Sequence, residues 1–428
     1  MSGQSVGFLI LGFLVVIFGL IGLLSVVRGT PVQRVVPFDL QQLPAVTDPA
    51  FCATMELVSH TSLVDGNQVE VFWNGDQTYP PLWKDLKNAK RSITLQLYFC
   101  NAGRMADTLS EILIERARAG VKVLFLYDAF GSSFKKEYLQ KLRDGGVRME
   151  SFRPMSLMAL QKLQHRAHIR VVCVDGSIGW TGGFGIDDKW FGDGRSKDHW
   201  RDSNVRFTGN AVSQLQAAFT ACWAESTGEL LVFPSQPAAA TASEGGVHAG
   251  VLHASPSIGS TEAERFFAYS ISSARTSLYI TNSYFVPDRD FRRMIADAAR
   301  RGVDTRILTV SQATDVKSTW YAGRARYEEL LSAGVRIFEY QPVMMHAKVI
   351  TVDGAFCAVG SMNADNRSLS LNEETVLMMV DKGVASTLDK QFTDDMGFCE
   401  EITLEEFRKR GPVDRIKERV CYAFWRVL

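Results

Sequence analysis

The chain has 428 residues, 46% of them hydrophobic, which is enough to fill the cores of two domains of ordinary size. Its 47 basic and 47 acidic residues give a formal net charge of zero, which argues against a protein that neutralises nucleic-acid phosphates. Its seven cysteines are scattered without a Cys-x-x-Cys pair, a pattern that indicates neither a disulfide framework nor a metal site.

The N-terminal segment predicts a membrane anchor. Residues 6–27 contain no charged side chain, and a helix of this length spans a bilayer core. A cleaved signal peptide is the alternative. It fits less well, because no Lys or Arg precedes the run and no small-x-small cleavage site follows it. Arg28 and Arg34 lie on the C-terminal side, so the positive-inside rule predicts a single-pass protein whose body is cytoplasmic.

The remainder of the chain is an internal repeat. Short apolar segments alternate with amphipathic ones in the same order twice; the matched strands are Ile93–Tyr98 with Leu278–Tyr284, and Val121–Asp128 with Val303–Val310. This alternation predicts the α/β class, with parallel strands joined by crossover helices. We expect a membrane-proximal linker at 31–68, a first lobe at 69–233, a linker rich in small residues at 234–250 and a second lobe at 251–428.

One motif is carried by both halves. His168 and His346 each precede an aspartate by seven residues, Asp175 and Asp353, and a glycine by fourteen. A cation follows each histidine by two residues: Arg170 in the first half and Lys348 in the second. Because side chains two apart on a strand point the same way, two such strands would gather two imidazoles and two cations around one centre. That combination suits attack on a phosphodiester.

These residues resemble the phospholipase D superfamily, whose motif is His-x-Lys-x4-Asp followed by Gly-Ser-x-Asn, and most closely the bacterial cardiolipin synthases. Further segments from about residue 70 onward share the resemblance: Asn74–Asp76, His165–His168, Trp200–Asp202, Ser283–Asp288, Tyr327–Pro342, Asn366–Ser368 and Leu371–Asn372. The resemblance implies two phospholipase D-like lobes, each a mixed sheet flanked by helices, and chemistry without a metal or cofactor. Since both halves lie in one chain, the site requires no oligomer.

The resemblance also implies roles for the motif residues. A neutral imidazole can attack phosphorus to give a phosphohistidine, while a protonated one serves the leaving group. Family analogy favours His168 as nucleophile and His346 as acid and base. Arg170 and Lys348 would offset charge on the phosphoryl oxygens, and the remaining phosphate-binding candidates are Gly183, Ser361 and Asn363.

Acidic residues complete the predicted site. Asp202 lies 34 residues after His168, and Glu374 lies 28 residues after His346. Both are candidates for fixing a histidine tautomer, with Glu373 as the substitute if the register is off by one and a surface acid as the plain alternative. Asp175 and Asp353 sit at odd offsets from their histidines, which suits a structural role in a turn.

Two positions depart from the family motif. Arg170 replaces a lysine, which keeps the charge but adds bulk and a forked donor. Gly185 stands where Asn363 stands in the second half, so one side-chain donor is missing. On the sequence alone, both departures weaken the first half-site. They put in question the rate and the choice of substrate more than the class of reaction.

The C-terminal stretch 414–428 predicts an amphipathic helix, whose apolar face either lies in a membrane interface or packs on the second lobe.

For the whole chain, the expected function is a phosphatidyltransferase of the inner cell membrane. It would make cardiolipin from phosphatidylglycerol and would bind no nucleic acid. A phospholipase D-type hydrolase, a membrane-tethered nuclease and a non-catalytic lipid-binding relic are the alternatives.

Overall fold

The computed structural model describes residues 11–20, 42–154, 164–233, 246–256 and 261–425, together with residues 35, 37, 39 and 40. Residues 11–20 are helical (α1). The predicted anchor, residues 6–27, otherwise lies outside the described residues. Within the described part of the chain, no helix is both long enough and apolar enough to span a bilayer.

The first half of the chain contains a seven-stranded portion of a mixed sheet. Its elements are α2 (Pro49–Ser59), β1 (Val64–Trp73), α3 (Asn74–Asn88), β2 (Ser92–Leu97), β3 (Cys100–Asn101), α4 (Arg104–Arg118), β4 (Lys122–Asp128), β5 (Ser132–Ser133), α5 (Lys136–Asp144), β6 (Arg148–Phe152), β7 (Arg170–Val174), β8 (Ile178–Gly182), β9 (Ser203–Thr208) and α6 (Val212–Thr227). The strand order is β6-β4-β2-β7-β8-β9-β1. Strands β2, β4 and β6 are parallel and the others antiparallel.

The second half repeats this order with one added edge strand. Its elements are β10 (Val247–Ala254), α7 (Glu262–Ser273), β11 (Ser277–Asn282), α8 (Arg289–Arg300), β12 (Asp304–Val310), α9 (Lys317–Arg324), α10 (Tyr327–Ser332), β13 (Arg336–Tyr340), β14 (Lys348–Val352), β15 (Phe356–Gly360), α11 (Asn366–Ser370), β16 (Glu374–Val380), α12 (Lys382–Met396), β17 (Cys399–Ile402), α13 (Leu404–Arg408) and α14 (Pro412–Tyr422). Its strand order is β17-β13-β12-β11-β14-β15-β16-β10. The predicted α/β class, the duplication and the mixed sheets are therefore confirmed.

The two lobes are joined and also packed together. Strands β1 and β10 pair antiparallel through an irregular register, Val64 with Ala249 and Asn67 with Val247. Residues of β7 and β9 share one buried apolar cluster with residues of β15 and β16, and this cluster includes the thiols Cys173 and Cys357. The hydroxyls of Thr181 and Thr375 meet at 3.3 Å between the lobes. The strands are covered on both faces, which explains their nearly continuous apolar sequences.

The expected linkers are shorter than predicted. Strand β1 begins at Val64, inside the proposed 31–68 linker, and β10 begins at Val247, inside the proposed 234–250 linker. Helix α2 also lies in the first of these and packs on the second lobe, where Phe51 stacks on Tyr269 with ring centroids 5.0 Å apart. This segment carries no sequence motif, but it folds onto the second lobe because Phe51 is fully buried in that lobe's core.

The C-terminal helix forms as predicted but does not pack through its apolar side. Val413, Ile416, Val420 and Phe424 are 57–61% exposed, whereas Glu418 is buried. Of the two alternatives left open, packing of the apolar face on the second lobe therefore does not hold for residues 412–425. The helix is held instead by ion pairs of Glu418 with Arg410 and Arg324.

Glu264 on α7 makes stability depend on pH. Burial raises its pKa to about 8, and its Oε2 has no hydrogen-bond partner among the described residues. In the folded state the carboxyl keeps its proton up to about pH 8, whereas in the unfolded state it ionises at its ordinary pKa. The folded state is therefore favoured fully below the unfolded pKa, and this advantage is lost as pH rises toward 8. We expect Glu264→Gln to raise the free energy of unfolding at pH 8 by about 3 kcal/mol and to change it little at pH 5.

Thermal unfolding of both proteins at pH 5 and pH 8 measures this difference. Glu111→Gln, an exposed glutamate on α4, is the matched control and should leave the pH profile unchanged. Equal stabilisation by Glu264→Gln at both pH values would contradict the assignment.

Candidate active site

Two short parallel bridges between the lobes build the site. Ala167 pairs with Glu373, and Arg201 pairs with Met345. In parallel pairing the next residues on the two chains also lie side by side. His168 therefore lies beside Glu374, and His346 beside Asp202.

Each histidine is held by a carboxylate from the other lobe. Nδ1 of His168 lies 2.9 Å from Oε1 of Glu374, and Nδ1 of His346 lies 3.0 Å from Oδ2 of Asp202. All four side chains are buried. A carboxylate on Nδ1 fixes the tautomer and directs Nε2 away from the pair, so each ring presents one nitrogen to a ligand.

The acid that contacts His168 is thus Glu374 and not its neighbour Glu373. The Glu373 carboxylate accepts hydrogen bonds from Arg153 at 2.9 Å and from Ser255 at 3.1 Å, and it lies 3.0 Å from Nε2 of His253. Alternation along the chain places it on the opposite side from Glu374.

The two motif cations occupy equivalent positions. Arg170 Nη1 donates to the His168 carbonyl, and Lys348 Nζ donates to the His346 carbonyl, each at 2.6 Å. Lys348 also donates to Ser283 Oγ at 2.7 Å. Both cations are buried, and burial lowers the pKa of Lys348 to about 7. The strands β7 and β14 begin at these cations, and the histidines precede them in extended chain.

The electrostatics of the site favour an anionic ligand. Burial lowers the pKa of both imidazoles well below its usual value, and the charges of Arg170 and Lys348 lower it further. Burial likewise raises the pKa of Asp202 to about 6 and that of Glu374 to about 8. An anion between the two rings would raise the pKa of each imidazole and offset the buried cations.

The two carboxylates are supported by different groups. Glu374 accepts hydrogen bonds from the hydroxyls of Ser361 and Ser368. Asp202 accepts from Trp190 Nε1 at 2.9 Å and from the Ser203 amide at 2.8 Å. The structure therefore places the Ser361 hydroxyl against the Glu374 carboxylate. A phosphate contact by Ser361 stays a prediction.

Gly183 occupies the position of Ser361 in the first lobe. A Cβ added there would lie 2.2 Å from Oδ1 of Asp202, so the absence of a side chain makes room for the carboxylate. Its amide donates to Asn204 Oδ1 at 3.1 Å, and a phosphate contact by Gly183 stays a prediction.

Gly185 lies where Asn363 lies in the second lobe. A Cβ at Gly185 would meet the Trp190 ring at 3.1 Å, so the indole fills the space of the missing side chain. Asn363 is buried, and its Oδ1 has no partner among the described residues. A phosphate contact by Asn363 stays a prediction.

Asp175 and Asp353 lie in the turns after β7 and β14, away from the histidines. Both have positive φ, 55° and 51°, and each precedes a glycine of positive φ, as at the two central residues of a type I′ turn. The Asp175 carboxylate accepts from the amides of Lys90, Arg91 and Ser92 at 2.7–2.9 Å. Asp353 does the same before β11. These contacts agree with a structural role.

Several residues around the histidines carry no recognisable spacing in the sequence. Rings of Tyr98 and Trp190 contact His168 and His346 edge-on at 5.0 and 5.2 Å. Arg367 lowers the pKa of His168, and Lys189 that of His346. Tyr98 and Trp190 come close to the histidines only when the chain folds, so no signal in the sequence indicates them. Arg367, in contrast, belongs to a segment already noted for its family resemblance.

One group among the described residues has side chains close enough to hold a metal: Cys222, His253 and Glu373, whose candidate ligand atoms lie within 4.8 Å of one another. Burial raises the pKa of the Cys222 thiol well above its usual value, and the Arg153 guanidinium already pairs with Glu373. Both features disfavour a cation there.

Comparison with known proteins agrees with this geometry. Residues 82–223 and 268–396, more than half of the chain, match the family model described as "Cardiolipin synthase, PLD-like domain". The chain is 34% identical over 359 residues to a cardiolipin synthase of Geobacillus kaustophilus, covering 83% of this chain and 71% of that protein. It is 31% identical over 398 residues to the probable cardiolipin synthase YwiE of Bacillus subtilis, covering 91% and 79%.

Among solved structures, a phosphatidylserine synthase of Haemophilus influenzae superposes with a TM-score of 0.70 at 12% identity, covering 89% of this chain and all of that one. This likeness shows the fold. The fold and the two histidine–carboxylate pairs define a duplicated phospholipase D-like protein. Together with the sequence matches, they establish that the chain belongs to the cardiolipin synthase family of phospholipase D-like proteins, and so to the phosphatidyltransferase enzymes.

The packing around Gly183 gives a test of the first half-site. Gly183→Ser would copy the second lobe, but the new side chain would displace Asp202 from His346. We expect turnover to fall about a hundredfold or more, because displacements near 1 Å have that effect in active sites. Gly411→Ser is the matched control, since nothing lies within 4 Å of a Cβ there. Steady-state turnover measures both, and wild-type activity of Gly183→Ser would contradict the packing argument.

Proposed function

We propose that the protein transfers a phosphatidyl group from one phosphatidylglycerol to the hydroxyl of a second, giving cardiolipin and glycerol. The observation that supports this most is the pair of buried histidines, each oriented by a carboxylate of the opposite lobe, with Arg170 and Lys348 beside them. The names of the relatives supply the substrate class, since both are called cardiolipin synthases.

The proposed first step uses His168 Nε2 as nucleophile. Its lone pair forms the phosphorus–nitrogen bond while the bond from phosphorus to the glycerol oxygen breaks, and His346 gives its proton to that oxygen. Burial favours the neutral imidazole that attack requires. The anionic phosphodiester favours the protonated form of His346, with Asp202 on Nδ1 balancing its charge.

The second step is the reverse on a new alcohol. His346, now neutral, removes the proton of the acceptor hydroxyl, whose oxygen attacks phosphorus as the bond to His168 breaks. Arg170 and Lys348 offset the charge on the phosphoryl oxygens in both steps. At the end of the second step His168 is free again and His346 carries its proton again, so atoms and protons balance. No cofactor enters either step.

We also propose that the enzyme belongs to the inner cell membrane through a single-pass anchor at residues 6–27, with its body in the cytoplasm. The charge-free run and the arginines that follow it support this placement. A lipid substrate agrees with it.

Product analysis with trapping tests the transfer and the intermediate together. Purified full-length enzyme in phosphatidylglycerol vesicles should release glycerol and form cardiolipin in equal amounts. A rapid denaturing quench with lipid labelled at its phosphate should leave label on His168, located by peptide mass, with His165 as the internal control because it lies outside the paired site.

Other results of this experiment would support one of the alternative functions or mechanisms. Phosphatidic acid in place of cardiolipin supports the hydrolase alternative, and cleavage of nucleic acid without lipid turnover supports the nuclease. The absence of any turnover supports the relic. Label on His346 reverses the two roles, and turnover without label on either ring excludes the covalent route.

Arg170 tests whether the first half-site takes part. Its buried guanidinium offers charge-assisted hydrogen bonds to a phosphoryl oxygen, so Arg170→Ala should lower cardiolipin formation about a hundredfold or more. Arg170→Lys keeps the charge and should retain substantial activity, which also controls for folding. If Arg170→Ala stays near wild type while Lys348→Ala is inactive, the second half alone holds the phosphate.

A further inference from the structure

Helix α14 is attached to the protein by its polar side. The Glu418 carboxylate is buried and accepts from Arg410 Nε at 2.9 Å. The Tyr422 hydroxyl accepts from Arg292 at 3.1 Å, and the guanidinium of Arg326 lies 4.1 Å from the centre of the Tyr422 ring. These contacts fix which side of the helix faces outward.

The outward side is an apolar stripe. Val413, Ile416, Val420 and Phe424 are 60%, 61%, 57% and 58% exposed, and their spacing of three and four residues places them on one face. At 100° per residue this face is nearly opposite Glu418. A globular protein normally turns such a face toward its core, so this orientation points to an outside partner.

Cationic side chains flank the stripe. At 100° per residue Lys417 lies on one side of it and Arg419 on the other, and both are exposed. Asp414 is the exposed acid on the helix, since Glu418 is buried in ion pairs. An apolar stripe between cations is complementary to a bilayer that contains anionic lipid.

Contacts connect helix α14 to the side of the site that carries His346. Helix α14 packs on α9, where Lys417 Nζ lies 5.5 Å from the centre of the Tyr321 ring. The loop before α9 carries Asp315, which accepts from the Tyr284 hydroxyl at 2.7 Å, and the Tyr284 ring contacts His346. Val316 in this loop, and Phe130 in the corresponding loop of the first lobe, are also exposed.

We propose that α14 is a membrane-docking helix that inserts its apolar stripe into an anionic bilayer and holds the His346 side of the site toward the lipid surface. This surface acts in addition to any anchor at the N-terminus. It goes beyond the transfer reaction and does not depend on the covalent intermediate.

Depth-dependent quenching tests the docking directly on the full-length protein. A fluorescent amino acid at Val420 should be quenched in vesicles whose lipids carry bromine along the acyl chains. The same amino acid at Leu57, which is 75% exposed on α2, is the matched control and should not be quenched. Lys417→Gln with Arg419→Gln should weaken quenching in phosphatidylglycerol vesicles and leave it unchanged in zwitterionic ones.

Activity provides a second measurement. Ile416→Glu with Val420→Glu should lower turnover on vesicles about tenfold or more, while turnover of short-chain phosphatidylglycerol below its micelle concentration stays at the wild-type level. Leu57→Glu should change neither. If the enzyme shows no lipid turnover at all, the quenching result still decides the docking.

Three outcomes would overturn the proposal. The first is no quenching at Val420. The second is an equal loss of turnover on vesicles and on dispersed substrate, which would indicate a structural role for the stripe. The third is a detergent-solubilised dimer that Ile416→Glu with Val420→Glu converts to a monomer, which would show that a second copy covers the stripe.

Discussion

Each buried histidine is held by a carboxylate that the opposite half of the chain supplies, and the rest of the site depends on this exchange. The pairs His168–Glu374 and His346–Asp202 follow from two backbone bridges that bring each histidine segment beside the acidic segment of the other lobe. Neither lobe supplies both members of either of these two pairs. The sheet-to-sheet packing and the β1–β10 junction therefore act on the chemistry, because a small rotation between lobes would separate both pairs at once.

Burial gives the pairs their electrostatic character. Two buried cations and two buried carboxyl groups in a small volume cost free energy unless each charge has a partner. The hydrogen bonds of Arg170 and Lys348 to the histidine carbonyls satisfy part of this requirement. A ligand anion would supply more, because a negative charge beside these groups favours the charged form of the cations and of the imidazoles.

The sequence predicted the fold more completely than the site. Periodicity located β2, β4, β11 and β12 to within a residue or two, because short apolar strands covered on both faces are readable as such. The repeated motif identified both histidines, and the family resemblance indicated both acids. The sequence did not predict that the acids cross between lobes, because that depends on contacts 206 and 144 residues apart in the chain. Helix α2 was missed for a similar reason, as its partner Tyr269 lies 218 residues later.

The unequal support of the two carboxylates has a consequence for duplicated enzymes. In a site made from two identical halves the two histidines are equivalent, so either one can act first. Which one does so depends on how the substrate binds. Here Asp202 rests on an indole and Glu374 on two hydroxyls, and their pKa values differ, about 6 against about 8. Because both halves lie in one chain, equivalent positions such as Gly183 and Ser361 can hold different residues, which is impossible in a dimer of two identical subunits.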